Sequence, residues 1–107
     1  MTTVRILKDA AGYKSFECSG HSGFAKEGED IVCASVSSAT ELIIDILERF
    51  SVDFSLDIDK KKAYVKCTVN DKDKTDIINA VLDGYCRYIK DISSEYPDYL
   101  KCILTEV

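Results

Sequence analysis

The chain has 107 residues, which is the usual size of one domain, and a net charge of −5 at neutral pH. This charge disfavours direct binding of nucleic acid, because such binding draws its affinity from Lys and Arg side chains that neutralise phosphates. No apolar run is long enough for a transmembrane helix, and the first residues lack the pattern of a secretory signal. We therefore expect a single domain over residues 1–107, no membrane association and a location in the cytoplasm.

Two short strands are predicted at the start of the chain. Residues 2–8 and residues 13–20 alternate between apolar and polar side chains, and Ala11-Gly12 between them is typical of a turn. Residues 21–30 contain two glycines and several charged side chains, a composition that favours an exposed, mobile loop.

A helix is predicted over residues 31–50, because apolar side chains recur there at helical spacing. The predicted apolar stripe consists of Val36, Ala39, Leu42, Ile43, Ile46, Leu47 and Phe50.

The second half of the chain repeats this arrangement of strands and helix. Residues 52–58 and 63–69 alternate strictly and predict a hairpin that turns at Asp59-Lys60-Lys61. A second helix is predicted over residues 73–93 and a final strand over residues 100–106. The element order is β-β-α-β-β-α-β. It predicts a two-layer α+β sandwich, with a mainly antiparallel sheet and both helices on one face.

The cysteines are expected to be reduced thiols. There are five of them, no CxxC pair occurs, and His21 is the single histidine. An odd, widely spaced set argues against a disulfide framework, and a zinc site prefers close ligand pairs. We therefore expect no metal and no other cofactor.

One pair of residues has the composition of a catalytic centre. His21 follows Gly20 at the end of a predicted strand, and Cys33 lies twelve residues later at the start of the first helix. The amides at a helix N-terminus favour a thiolate, an adjacent imidazole can hold the thiol proton, and the same amides can donate hydrogen bonds to an oxyanion. A buried structural thiol beside a surface histidine is the competing interpretation.

Two polar residues flank this pair. Asp30 stands three residues before Cys33, where it can cap the helix, orient His21 or do both. Ser37 lies one helical turn after Cys33 and therefore on the same face. It can contact the sulfur or a substrate, or be an ordinary helix serine.

The Gly20-His21 pair, followed by Asp30-Ile31-Val32-Cys33-Ala34-Ser35-Val36-Ser37, resembles the signature of the bacterial ribosomal-processing cysteine proteases. The resemblance extends over the whole chain, since the element order also agrees. The chain departs from the pattern at Ser22, where many members of the family have Ala.

The resemblance implies a single cysteine protease domain. Members of this family remove a short N-terminal extension from large ribosomal subunit protein twenty-seven, so the N-terminal peptide of that protein is the implied partner. His21 and Cys33 would be the catalytic pair, with Asp30 and Ser37 as supporting positions. The loop over residues 22–29 would gate substrate access, and its named positions are Ser22, Gly23, Phe24 and Gly28.

Three alternatives remain open from the residues. Phosphatase chemistry would need an Arg about five residues after the nucleophile, which the chain lacks, and a redox dithiol would need a second thiol near Cys33. A non-catalytic, ribosome-associated peptide-binding module would use the same groove without needing Cys33.

An open sheet edge or an apolar helix flank would also allow a homodimer.

Overall fold

The segments with alternating apolar and polar residues all become strands of one sheet. The computed structural model describes residues 1–21, 23–26 and 30–107. The elements are β1 (Thr2–Asp9), β2 (Gly12–Ser19), α1 (Ile31–Arg49), β3 (Phe54–Asp59), β4 (Tyr64–Val69), α2 (Thr75–Glu95) and β5 (Leu100–Glu106). This order confirms the predicted sequence of elements.

The sheet has the strand order β3-β4-β2-β1-β5. Its pairs are antiparallel except for β1 and β5, which run parallel because α2 carries the chain across the sheet before β5 begins. The register aligns Ile6 with Phe16, and Phe16 with Cys67, so apolar residues of three neighbouring strands face the same side. The prediction of a mainly antiparallel sheet is confirmed.

Both helices pack on this apolar face. Buried residues of α1 and α2 form one cluster with the inward residues of the strands, including Val36, Leu82 and Phe16. The opposite face is polar, and Glu17 there lies 3.5 Å from the Arg5 guanidinium and accepts a hydrogen bond from Tyr64. The fold is therefore the predicted two-layer α+β sandwich.

The face of α1 that meets the core differs from the predicted stripe. Leu42 is 58% exposed and Phe50 is 50% exposed, whereas Thr40 is buried. The buried positions of the helix are Val32, Val36, Thr40 and Leu47, which are separated by four, four and seven residues and so lie along one face. Thr40 can be buried because its hydroxyl oxygen lies 2.8 Å from the hydroxyl of Tyr85 on α2. The predicted stripe was thus too wide, since it wrongly included Leu42 and Phe50, whereas Val36 and Leu47 are buried as expected. Ala39 and Ile43 also pack against the core.

Neither helix in the described ranges has the length and apolar character needed to cross a membrane.

Candidate active site

A glycine at the end of β2 fixes the backbone before His21. Gly20 has a φ of +82°, and a Cβ at this position would lie 2.7 Å from the carbonyl oxygen of Met1. Both the backbone conformation and the close approach of β1 therefore require glycine. The Gly20 amide also donates to the carbonyl of Ala63 at 3.1 Å, which ties this point to the β3–β4 turn. His21 follows immediately and its side chain is exposed.

Cys33 lies in the first turn of α1, at the third residue of the helix. Asp30 is the N-cap, and its Oδ1 accepts the Cys33 amide hydrogen at 2.9 Å. The Ala34 amide donates to the Asp30 carbonyl at 3.0 Å. An aspartate cap of this kind stabilises a helix by about 1 kcal/mol. The cap confirms the predicted helix start and fixes the position of Cys33, which is half-buried.

His21 and Cys33 line one cavity, which we call the His21–Cys33 cavity. Its volume is about 740 Å³, and Asp30 and Ser37 also contribute to its lining. Ser37 is exposed and lies one turn after Cys33, as its sequence position predicts. The structure therefore brings together the four residues that the sequence singled out as catalytic or supporting.

The cavity extends away from Cys33 between α1 and the β3–β4 hairpin. Ile44, Ile58 and Val65 supply apolar lining there, while Glu41 and Lys60 add one charge of each sign. A long cleft with apolar walls and a few charged groups is suited to an extended peptide.

A buried polar network lies beside this cavity. Cys18 and Thr40 line the His21–Cys33 cavity. Their side chains also contact the hydroxyl of Tyr85, which lies on α2. The sulfur of Cys18 is 3.1 Å from that hydroxyl and 3.4 Å from Thr40 Oγ1. Burial raises the pKa of both Cys18 and Tyr85, so both groups are neutral near pH 7. The Cys18 side chain is therefore held inside the core by Thr40 and Tyr85.

The remaining three thiols lie outside the His21–Cys33 cavity. Cys67 and Cys86 are buried, whereas Cys102 is half-buried. Burial raises the pKa of Cys67 to about 11 and that of Cys102 to about 11. The five cysteines form no disulfide with one another, and no group of three metal-ligating side chains is arranged to hold an ion within the described residues.

The described part of the loop between β2 and α1 is anchored by an aromatic contact. The Phe24 ring meets Tyr96 and Tyr99 edge to face, with centroid distances of 5.5 and 5.2 Å. Its amide also donates to Asp30 Oδ2 at 3.2 Å. Of the predicted gating positions, Gly23 lines the cavity, whereas Ser22 and Gly28 lie outside the described residues.

One residue of the site was missed from the sequence. Thr2, the first residue of β1, lines the His21–Cys33 cavity and is 3% exposed. Its Oγ1 lies 3.8 Å from the sulfur of Cys33. The residue is separated from Cys33 by 31 positions, so no local pattern could have indicated this contact.

Solved structures share this fold. The Prp ribosomal processing protease of S. aureus, described as essential and solved with a covalently linked product peptide, superposes with a TM-score of 0.91. It is 20% identical, and the match covers 98% of this chain and 100% of that one. The protein SMU.848 of Streptococcus mutans gives a TM-score of 0.85 at 22% identity, covering 100% of this chain and 96% of its own. At these identities the likeness establishes the fold.

Sequence comparison establishes the family. No curated protein sequence matches the chain. A family model described as cysteine protease Prp matches residues 1–101, which is nearly the whole chain. The chain therefore belongs to the Prp family of cysteine proteases.

Proposed function

We propose that Cys33 is the nucleophile and His21 the general base of a cysteine endopeptidase. The observation that carries the proposal is that both side chains line one cavity, where Cys33 is held in the capped first turn of α1. A base and a thiol at the same cleft are the minimum needed for acyl transfer by cysteine. The family membership supplies the reaction class.

The reaction proceeds in two stages. His21 takes the thiol proton, and the Cys33 sulfur then attacks the scissile carbonyl carbon to form a tetrahedral oxyanion. The carbon–nitrogen bond breaks as the His21 imidazolium protonates the leaving amine, which gives a thioester on Cys33. His21 next removes a proton from water, and the resulting attack releases a carboxylate product and restores the thiol.

The helix cap limits which amides can donate hydrogen bonds to the oxyanion. Asp30 holds the Cys33 amide through its side chain and the Ala34 amide through its carbonyl. Oxyanion stabilisation by the start of α1 therefore has to use the amides of Ile31 and Val32, or requires Asp30 to release the Cys33 amide as substrate binds.

Asp30 and Ser37 support the reaction in different ways. Asp30 is 9% exposed, so its carboxylate carries charge in a poorly solvated part of the cavity lining, where it compensates the imidazolium that forms on His21. The Ser37 hydroxyl lies on the cavity lining one turn beyond Cys33 and is available to hydrogen-bond the bound peptide.

The proposed substrate is the N-terminal extension of a large-subunit ribosomal protein. The S. aureus relative is called a ribosomal processing protease and has been solved with a substrate peptide. The cleft between α1 and the hairpin has apolar walls and can enclose several residues of an extended peptide.

We propose that residues 22–29 gate this cleft. Phe24 would hold the loop through Tyr96 and Tyr99.

We further propose that the protein is cytoplasmic, does not bind nucleic acid directly and forms a homodimer. Five cysteines without a disulfide suit a reducing compartment, and the net charge of −5 opposes phosphate binding. An apolar groove of about 810 Å³ between α1 and α2, which we call the helix groove, supports the homodimer. Leu42 and Tyr88 line this groove and are 58% and 48% exposed. Residues 1–107 would act as one protease domain.

The test is cleavage of a synthetic peptide that spans the N-terminal extension of the ribosomal protein from the source organism. Cys33→Ala and His21→Ala should each lower kcat/KM by at least about a thousandfold while circular dichroism stays unchanged. Cys102→Ala is the matched control for loss of a thiol and should cleave normally. Cleavage by Cys33→Ala at the wild-type rate would overturn the proposal. Peptide binding without cleavage by the wild type would favour a non-catalytic module.

A further inference from the structure

The hydroxyl of Thr2 lies between the two segments of the proposed catalytic pair. Thr2 Oγ1 donates to the carbonyl of Gly20 at 3.1 Å and lies 3.8 Å from the sulfur of Cys33. Gly20 immediately precedes His21. The Thr2 side chain therefore contacts both the backbone next to the proposed base, His21, and the thiol of the proposed nucleophile, Cys33.

The position of this hydroxyl is fixed by the sheet. Thr2 is 3% exposed, its amide donates to the Tyr99 carbonyl at 3.0 Å, and it is paired with Leu100 of β5. Threonine is branched at Cβ, which restricts its side-chain rotamer. The sharp turn at Gly20 brings the Gly20 carbonyl against the beginning of β1.

A threonine hydroxyl has one hydrogen and two acceptor lone pairs. While that hydrogen is directed to the Gly20 carbonyl, the lone pairs can accept the S–H of Cys33. Once the thiol proton has moved to His21, the sulfur can only accept. The Thr2 hydroxyl can then rotate about its C–O bond and donate to the thiolate, a charge-assisted hydrogen bond that neutral partners do not form.

We propose that Thr2 is a positioning residue that holds the Cys33 side chain and donates a hydrogen bond to its thiolate. The proposal rests on the proposed function, in which Cys33 loses its proton before attack. The hydrogen of Thr2 stays on its oxygen throughout, and the thiol proton is the one that His21 receives. Thr2 therefore favours the reactive form of Cys33 without entering the proton transfer.

The variants separate the hydroxyl from the shape of the side chain. Thr2→Val keeps the branched shape and removes the hydroxyl, Thr2→Ser keeps the hydroxyl, and Thr2→Ala provides a smaller side chain if valine impairs folding. Thr3→Val is the matched control, since Thr3 is the next residue of β1 and points to the opposite face of the sheet. Circular dichroism and thermal unfolding are recorded for each variant.

Two readouts test the proposal. In peptide cleavage, Thr2→Val should lower kcat roughly ten- to a hundredfold with KM little changed, because a hydrogen bond to a charged group is lost. The acid limb of its pH profile of kcat/KM should move to higher pH. Thr2→Ser should keep the wild-type kcat and the wild-type acid limb, and Thr3→Val should do the same. In the absence of peptide, Thr2→Val should also slow alkylation of Cys33 by iodoacetamide at pH 6.

A folded Thr2→Val or Thr2→Ala variant with wild-type kcat, acid limb and alkylation rate would overturn the proposal. Equal losses in Thr2→Val and Thr2→Ser would also overturn it, because they would assign the effect to packing. Failure of the proposed function is distinguishable, since it would appear as cleavage by Cys33→Ala. The alkylation readout does not depend on peptidase activity.

Discussion

At the scale of single residues, the cap of α1 is central to the site. Asp30 accepts the amide of Cys33 through one oxygen and the amide of Phe24 through the other. A single carboxylate thus positions the first turn of the helix and the described part of the loop. The sequence alone could place Asp30 at the helix start, but the contact with Phe24 depends on the path of the loop.

Substitution of Asp30 separates its charge from its capping role. Asn caps a helix as well as Asp, so Asp30→Asn should keep the cap of α1 and lose only the hydrogen bond from the Phe24 amide, because a side-chain amide has one acceptor oxygen. Asp30→Ala should lose the cap as well, which lowers the free energy of unfolding by about 1 kcal/mol. We expect Asp30→Asn to lower kcat/KM by about tenfold, because the charge that compensates the His21 imidazolium is lost. Urea unfolding and peptide cleavage measure the two effects. If Asp30→Asn kept the wild-type kcat/KM, the charge of Asp30 would have no role in the reaction and the residue would act only as a helix cap.

The thiols are predicted to differ strongly in reactivity. Cys33 lines an open cavity, whereas burial raises the pKa of Cys18 and brings that of Cys67 and Cys102 to about 11. A thiol with a pKa near 11 is thiolate in only about one molecule in ten thousand at pH 7. Iodoacetamide at pH 7 should therefore label Cys33 first, as measured by peptide mapping.

The control for this labelling is the unfolded protein, in which all five thiols should react at similar rates. Cys18, Cys67 and Cys102 should begin to react in the folded protein only as the pH rises toward their raised pKa values. Uniform labelling of the folded protein at pH 7, or a faster thiol than Cys33, would contradict the assignment of the nucleophile.

At the scale of elements, the sequence predicted the strands well and one helix face less well. Alternation of apolar and polar residues, strict in β3 and β4 and looser in β1 and β2, placed these four strands, because that pattern depends only on neighbouring positions. The buried face of α1 could not be read in the same way. Thr40 is buried through its contact with Tyr85, which lies 45 positions later in the chain.

The site likewise combines residues that are close together in the sequence with one that is far from them. Asp30, Cys33 and Ser37 occupy one helix end, so their spacing indicated a shared location. Thr2 joins them only because β1 pairs with β2 beneath the start of α1. A contact that depends on strand pairing and helix packing together has no signature in a single sequence.

The loop between β2 and α1 is predicted to depend on Phe24. The Phe24 ring makes two edge-to-face contacts, with Tyr96 and Tyr99, each worth about 0.5–1.5 kcal/mol beyond the buried area. Phe24→Ala should speed hydrogen exchange at the amides of residues 23–26 and raise KM several-fold. The free energy of global unfolding should fall by roughly 1–3 kcal/mol, because both ring contacts are lost.

Phe50→Ala is the matched control for loss of an exposed aromatic ring. Phe50 is 50% exposed and caps the opposite end of α1 from Cys33, so neither the exchange of residues 23–26 nor KM should change. Wild-type exchange and KM in Phe24→Ala would argue against a gating role for this loop.

At the scale of the whole molecule, the helix groove is predicted to bind a second copy of the chain. Leu42→Glu places a charge on this apolar surface and should shift the protein from dimer to monomer in sedimentation velocity. Lys62→Gln, at the exposed β3–β4 turn, changes the net charge by the same one unit and should leave the dimer intact. A monomeric wild type, or a Leu42→Glu variant that stays dimeric, would contradict this assignment.

The fold as a whole places the proposed nucleophile and base at the junction of three elements. The end of β2 carries His21, the capped start of α1 carries Cys33, and the start of β1 supplies Thr2. These parts of the chain approach one another because β1 and β2 are paired and α1 packs on the same sheet. The proposed reaction at this junction depends on covalent chemistry at the Cys33 sulfur.

Intact-mass spectrometry of an acid-quenched reaction tests that chemistry most directly. Wild-type protein mixed with substrate peptide should gain the mass of the N-terminal cleavage fragment less one water, and proteolytic mapping should place this acyl group on Cys33 as a thioester. Cys33→Ala should gain no such mass, whereas Cys102→Ala should behave as the wild type. Peptide cleavage with the acyl group on another residue, or undiminished cleavage by Cys33→Ala, would contradict the account.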